Sequence, residues 1–271
     1  MIRALALLAV VFLGARAEAN VEVDLQLVLA VDVSGSITEG ELEIQRRGYA
    51  EALADPAVLA AISGGRLGRV AMAYMEWAAA DDQELIVDWM LVRNREDAER
   101  FVARMQGPHE PRLRLTSISH GIDFAAALFE GNGFESHRKV IDISGDGPSN
   151  DGRVVTWARD DAAARGVTIN GLQLMTREGE GGQWYLDDLD RYYRDCVIGG
   201  PGAFIIPVMR WADFPKAVRQ KLLIELSGAP APVQYASRPR IWRASAGQDD
   251  CRYGDPVWGP KEWWDNPQRS N

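Results

Sequence analysis

The sequence has only two cysteines, Cys196 and Cys251, and three histidines, His109, His120 and His137, in 271 residues. That scarcity leaves too few ligands for an iron–sulfur cluster or a structural zinc site, so any bound metal must sit on oxygen. Basic residues are also short. Thirty Lys and Arg stand against 39 Asp and Glu, a net charge of −9, which excludes a nucleic-acid binder that relies on a basic surface. Ala4 to Gly14, the most apolar stretch, falls well short of the roughly 20 residues that span a bilayer. Also missing are a G-x-S-x-G elbow, a G-x-x-x-x-G-K-[ST] loop and a G-x-G-x-x-G turn after a strand, so no enzymatic activity is expected. What remains, 46% hydrophobic and 25% charged residues, is the composition of an ordinary globular protein.

Met1 to Arg3 is a short basic start, and Ala4 to Gly14 is uniformly apolar. Ala15-Arg16-Ala17 and Ala17-Glu18-Ala19 then offer small-x-small cleavage sites. Residues 1–19 read as a secretory signal peptide, which predicts export to the periplasm or the medium. Their removal takes away Arg3, Arg16 and Glu18 and leaves 252 residues with a net charge of −10. An oxidising compartment allows a disulfide, for which Cys196 and Cys251 are the only possible partners; the alternative is two unrelated thiols.

The middle of the chain alternates strand and helix. Leu25 to Val31 is a nearly continuous apolar run, as in a strand buried on both faces of a parallel sheet. Thr38 and Glu41 form a capping box for a helix that ends at Asp55-Pro56. Strands are predicted at Val70 to Trp77, Glu84 to Trp89, Lys139 to Ser144, Val167 to Leu174 and Phe204 to Val208. Helices are predicted at Arg95 to Met105, Ser117 to Phe129, Asn150 to Arg165, Tyr185 to Arg194 and Phe214 to Leu226. This rhythm specifies a three-layer α/β/α, Rossmann-like domain over residues 20–228, with a mostly parallel six-stranded sheet. Ligands in such folds bind at the carboxyl ends of the strands.

Three clusters fall at that edge. Asp32-Val33-Ser34-Gly35-Ser36 follows the first buried strand, and its spacing can aim three oxygens at one point, as a hard cation requires. Thr116 closes the Pro111 to Leu115 loop, and Asp146 follows the strand ending at Ser144. Asp32 and Ser34 could alternatively do no more than cap the next helix. Asp142-x-Ser144-x-Asp146-Gly147 imitates the start of a calcium-binding loop, but Arg153 stands where its bidentate Glu is needed, and the segment begins inside a strand. Asp142 itself, a carboxylate in a buried strand, is either an ordinary hydrogen-bonded Asp or a group supporting the metal ligands.

With Asp32-x-Ser34-x-Ser36, Thr116 and Asp146-Gly147 in this order, the chain resembles the von Willebrand factor type A domain, also called the integrin I-like domain, and its metal-ion-dependent adhesion site (MIDAS). The resemblance covers roughly Val21 to Ser227. It implies that Ser34, Ser36 and Thr116 ligate Mg²⁺, with Mn²⁺ or Ca²⁺ as alternatives, while Asp32 and Asp146 bind directly or through water. Ser117 and Ser119 lie close enough to compete with Thr116 for that role. It also implies a protein-binding module in which the cation coordinates an Asp or Glu carboxylate of a partner protein. The run Tyr192 to Phe204 (YYRDCVIGGPGAF) resembles a bacterial von Willebrand A-like family of uncharacterised function.

Other features read more plainly. Ser119-His120 near Asp123 is no triad fragment, because adjacent residues on a helix point apart. A metal-dependent envelope hydrolase and a structural envelope protein with an unused site are the competing functions. The acidic groups Asp81-Asp82, Asp160-Asp161, Asp187-Asp188 with Asp190, and Asp249-Asp250 read as solvated turns and helix faces, the alternative being a second cation site in one of them. Thr176 to Gln183, rich in Gly and charge, reads as a surface loop or a ligand gate. Residues 229–271 form a tail rich in Pro and Trp, too small to fold alone. Trp242, Trp258, Trp263 and Trp264 are expected to pack in part on the main domain or to form a partner-binding patch.

Overall fold

A computed structural model describes residues 20–106, 115–176, 189–228, 242–243 and 251. The expected signal peptide, the loop 107–114, most of the Thr176 to Gln183 loop, and the tail apart from 242–243 and 251 lie outside the described residues. The strands are β1 (Val21–Glu22), β2 (Gln26–Asp32), β3 (Val70–Trp77), β4 (Gln83–Val92), β5 (Phe134–Glu135), β6 (Lys139–Gly145), β7 (Val167–Leu174), β8 (Phe204–Val208) and β9 (Trp242–Arg243). The helices are α1 (Glu39–Ala54), α2 (Pro56–Ser63), α3 (Arg95–Met105), α4 (Ile118–Ala127), α5 (Val155–Ala164), α6 (Leu189–Tyr192) and α7 (Phe214–Ser227). A π turn, Tyr193–Val197, continues α6.

The sheet order is β4-β3-β2-β6-β7-β8-β9, with β1 and β5 paired separately. The five strands from β3 to β8 run parallel, and the edge strands β4 and β9 are antiparallel. Every residue of β2 and β3 is buried, which explains why Leu27 to Val31 and Val70 to Met75 are apolar on both faces and do not alternate. Helices α1, α2, α3 and α7 pack on one face, where Phe214 meets Tyr49 edge-on at 5.9 Å. Helices α4, α5 and α6 with the π turn pack on the other. From β2 the chain goes outward to β3 on one side and later to β6 on the other. The carboxyl ends of β2 and β6 therefore flank the crevice where strand order reverses, the preferred ligand position in open α/β sheets.

Two elements differ from expectation. Helix α5 starts at Val155, because Asn150 and Asp151 use their polar atoms outside the helix: Asn150 bonds to Thr116, and the Asp151 carboxylate accepts from Ala80 N at 2.7 Å. The described part of the expected 185–194 helix is one turn followed by the π turn. Cys196 and Cys251 form a disulfide, and β9 pairs with β8, so the tail is tied to the domain at two points. Among the described residues, no helix is long and apolar enough to cross a membrane.

Candidate functional site

Asp32 ends β2, and the turn that follows is organised by its own side chain: Ser34 N donates to Asp32 Oδ1 at 2.7 Å. Ile37 N then donates to Ser34 O at 2.8 Å, closing the turn before the helix. Helix α1 is capped by Thr38 in the predicted box with Glu41, so Asp32 and Ser34 are not its cap. Ser34 Oγ and Ser36 Oγ share a hydrogen bond at 3.3 Å, and Ser36 Oγ donates to Asp146 Oδ1 at 2.8 Å. A connected line of oxygens thus runs from the end of β2 to the end of β6.

Thr116 joins this line through the backbone. Its amide donates to Asn150 Oδ1 at 2.7 Å, and its carbonyl accepts from Asn150 N at 2.8 Å, which clasps it to the loop that carries Asp146. Ser117 N donates to Ala78 O at 2.7 Å, tying the same segment to the end of β3. Among the described residues the Thr116 hydroxyl makes no hydrogen bond to the other four candidates. Four of the five are linked side chain to side chain or through the turn, and the fifth sits beside them on a shared loop junction.

The electrostatics of the site are set by burial. Asp32 is fully buried, and its Oδ2 has no hydrogen-bond partner among the described residues. Burial, and then the neighbouring Asp146 charge, push its carboxyl up to about 8 against the help of the Ser34 amide. Asp146, half-buried, is pushed up to about 6 by loss of hydration, with Ser36 opposing and the charge of Glu41 adding to the rise. Two carboxylates with raised values and an orphaned oxygen among hydroxyls are a set to which a hard divalent cation is chemically suited. Among the described residues no cluster of three or more His, Cys, Asp or Glu exists, so an alternative metal centre built from those side chains is absent there.

Several neighbours were not singled out in the sequence. Glu41 belongs to the cap yet acts on Asp146, and Trp211 Nε1 holds it from the short turn that precedes α7 by donating to Glu41 Oε1 at 2.9 Å. Tyr193 reaches over Gly145, where a Cβ would strike its hydroxyl and lie 3.0 Å from Asp32 Oδ2. The sequence signals that could have drawn attention to it are its place in the Tyr192 to Phe204 run and its proximity to Cys196. Asp142 faces away from Asp32, paired at 2.7 Å with Lys221 Nζ, so it is an ion-pair partner of α7. His120 is a correction: its Nδ1 lies 2.9 Å from Ser117 Oγ, one helical turn away, and 3.5 Å from Ser119 Oγ. Adjacent residues on the helix do come within reach because Ser119 turns inward at the first turn of α4, but Ser117 and Ser119 are fully buried and Gly152 lies directly over the pair.

A family profile described as "Protein of unknown function (DUF1194)" matches residues 22–230. No curated protein sequence matches the chain. Among solved structures, proximal thread matrix protein 1 (PTMP1) from the mussel byssus is 16% identical, with a TM-score of 0.53, over 78% of this chain and 49% of its own. The pilus adhesin SpaC from Lactobacillus rhamnosus GG is 11% identical, with a TM-score of 0.55, over 78% of this chain and 32% of its own. A PTMP1 structure described as having a zinc-occupied MIDAS motif is 16% identical, with a TM-score of 0.50, over 78% and 49%. The chain spans about half the length of PTMP1 and a third of SpaC, and the likeness is one of fold. That shared fold is the mostly parallel, three-layer α/β architecture expected from the alternation of strands and helices.

Proposed function

Since the chain belongs to the DUF1194 family and shares its fold with an adhesin and a matrix protein, we propose that it is an exported, divalent-cation-dependent protein-binding module. The observation that carries this reading is the buried, unpartnered Asp32 Oδ2 beside the Ser34–Ser36–Asp146 line at the switch of strand order. Asp32, Ser34, Ser36, Thr116 and Asp146 would hold a cation of the Mg²⁺ type, with Mn²⁺ or Ca²⁺ as substitutes. Bound there, the cation supplies a positive coordination position for an Asp or Glu carboxylate of a partner protein.

The chain's own residues do the rest. Ser34 N orients Asp32, Ser36 orients Asp146, and the Thr116–Asn150 clasp holds the third loop against them. With residues 1–19 removed the chain carries −10, so an acidic partner is repelled unless the sign is reversed locally, as a bound cation does. The disulfide supports export to the periplasm or the medium, since such bonds persist in oxidising compartments. Binding, and not catalysis, is the reading we favour, because Ser117 is fully buried and Gly152 lies directly over its contact with the half-buried His120.

Calorimetry with Mg²⁺ and Mn²⁺ on the wild type and on Asp146→Ala tests the proposal. Saturable heats in the wild type, lost in the variant, together with partner capture that EDTA reverses, are the expected result. Equal weak heats in both proteins would refute the cation site. Turnover of a phosphoester or peptide that Asp32→Ala abolishes would replace the binding module with a hydrolase.

A further inference from the structure

The strand register sets a row of residues side by side at the carboxyl edge: Trp77 beside Asp32, Gly145 beside Gln173, and Gln173 beside Pro207. Val31 pairs with Ser144, which brings Asp32 and Gly145 together one step further on. Alternation along each strand sends Trp77, Asp32 and Gln173 to the face covered by α4, α5 and the π turn. Among the described residues, Trp77 Nε1, Asp32 Oδ2, both amide atoms of Gln173 and the Tyr193 hydroxyl are all buried without a hydrogen-bond partner. Buried polar groups are paired in the great majority of cases, so a row of orphans on one face marks a place that water or a ligand satisfies.

Tyr193 lies across this row. Gly171 leaves room for its ring, since a Cβ there would sit 3.3 Å from Tyr193 Cδ1, and Gly145 leaves room for its hydroxyl. The hydroxyl and Asp32 Oδ2 both lie within 3.0 Å of the position a Gly145 Cβ would take, yet neither has a hydrogen-bond partner among the described residues, which puts them within reach of one bridging water. The Asp32 charge also acts on the phenol, which burial holds well above its ordinary value. The Tyr193 turn is itself fixed: Arg159 Nη1 donates to Asp195 O at 2.8 Å, and Cys196 is bonded to Cys251.

We propose that Tyr193 is a positioning residue for Asp32. Its hydroxyl donates to a water that in turn donates to one lone pair of Asp32 Oδ2, which fixes the rotation of the carboxylate whose Oδ1 takes the Ser34 amide and leaves the other lone pair of Oδ2 for the cation. The inference rests on the cation-binding reading of the site and goes beyond it by giving the ligand set an inner support. Groups that orient a metal ligand from behind change affinity by about 10- to 100-fold when lost.

The test is Tyr193→Phe in the disulfide-bonded chain, with Mn²⁺ affinity measured by calorimetry and metal-free melting measured in EDTA. The ring and its packing are retained. The expected result is affinity about tenfold weaker with an unchanged metal-free melting temperature, a split that a merely structural role would not produce. Unchanged affinity overturns the role of Tyr193 and leaves the cation site standing. A wild type that binds Mn²⁺ no better than Asp146→Ala overturns both. If Tyr193→Phe fails to fold, ultraviolet difference spectra of the folded protein decide: a tyrosine band on adding Mn²⁺, kept in Tyr192→Phe, supports the proposal, and silence in a protein that binds Mn²⁺ overturns it.

Discussion

Asp32 is held in place for a purpose that works against stability. A buried carboxylate with one oxygen unpaired, next to a second carboxylate, destabilises the metal-free fold unless it keeps a proton. Asp32→Asn keeps an oxygen for the Ser34 amide and removes the charge. In EDTA at pH 8 the variant is expected to melt several degrees above the wild type, while Mg²⁺ raises the wild type and leaves the variant unmoved. A thermal melt of both proteins with and without Mg²⁺ checks this, and a lower melting temperature for Asn would show that the carboxylate is well satisfied. Asp32, Ser34, Ser36 and Asp146 were legible in the sequence because a short turn after a buried strand fixes how its side chains converge. Tyr193 was not, because its approach depends on the missing side chains of Gly145 and Gly171, which lie in two other strands. The Ser117–His120 contact was misjudged by weighing only Ser119, when the partner one turn away reaches the ring more closely.

Strands and helices were the most readable level, since β2, β3, β6, β7 and β8 are short, mostly buried segments rich in Val, Ile, Leu and Ala and α1 carries its own capping signal. The less readable feature is how α7 is fastened to the sheet. Lys221, with no exposed surface, lies 2.7 Å from both Asp142 Oδ1 and Glu225 Oε1, and 5.6 Å from the centre of the Phe204 ring. Asn170 Nδ2 donates to the same Glu225 oxygen at 2.8 Å. Two carboxylates share one ammonium, so burial, opposed by Lys221 and aided by Glu225, pushes the Asp142 carboxyl up to about 7. Its ordinary unfolded value is about 3.9. A carboxyl raised on folding contributes stability that is whole below about pH 4 and is lost as pH rises through about 7. Asp142→Asn removes that slope. Relative to the wild type, the variant is expected to gain on the order of 2 kcal/mol between pH 5 and pH 8, read from urea midpoints at the two values. A constant difference would mean that Asp142 stays ionised throughout. No sequence period announces this group, because Asp142 sits in an apolar strand while Lys221 and Glu225 are ordinary helix residues until the fold buries them.

At the scale of the whole molecule, the sheet is closed at one edge by β9, a two-residue strand supplied by the tail, and the tail is stapled by Cys251. The pairing of the two cysteines was legible by count, whereas the sequence held no sign that Trp242 and Arg243 extend the sheet. In the chain-entropy account, a bridge closing 55 residues contributes about 4 kcal/mol at most, so reduction should move the urea midpoint downward by a substantial fraction of that amount. Equilibrium unfolding with and without dithiothreitol, with Cys251→Ser as the control, measures it; coincident curves would show that the staple adds nothing to stability. The position of that bridge has a mechanical consequence. Strand β8, helix α7 and β9 all lie inside the covalent loop, so tension applied to the chain beyond Cys251 passes through sulfur to Cys196 and never loads them. It arrives in the turn that carries Tyr193, next to the Asp32 carboxylate, and the hydrogen-bonded ladder between β7 and β8 is spared from being unzipped.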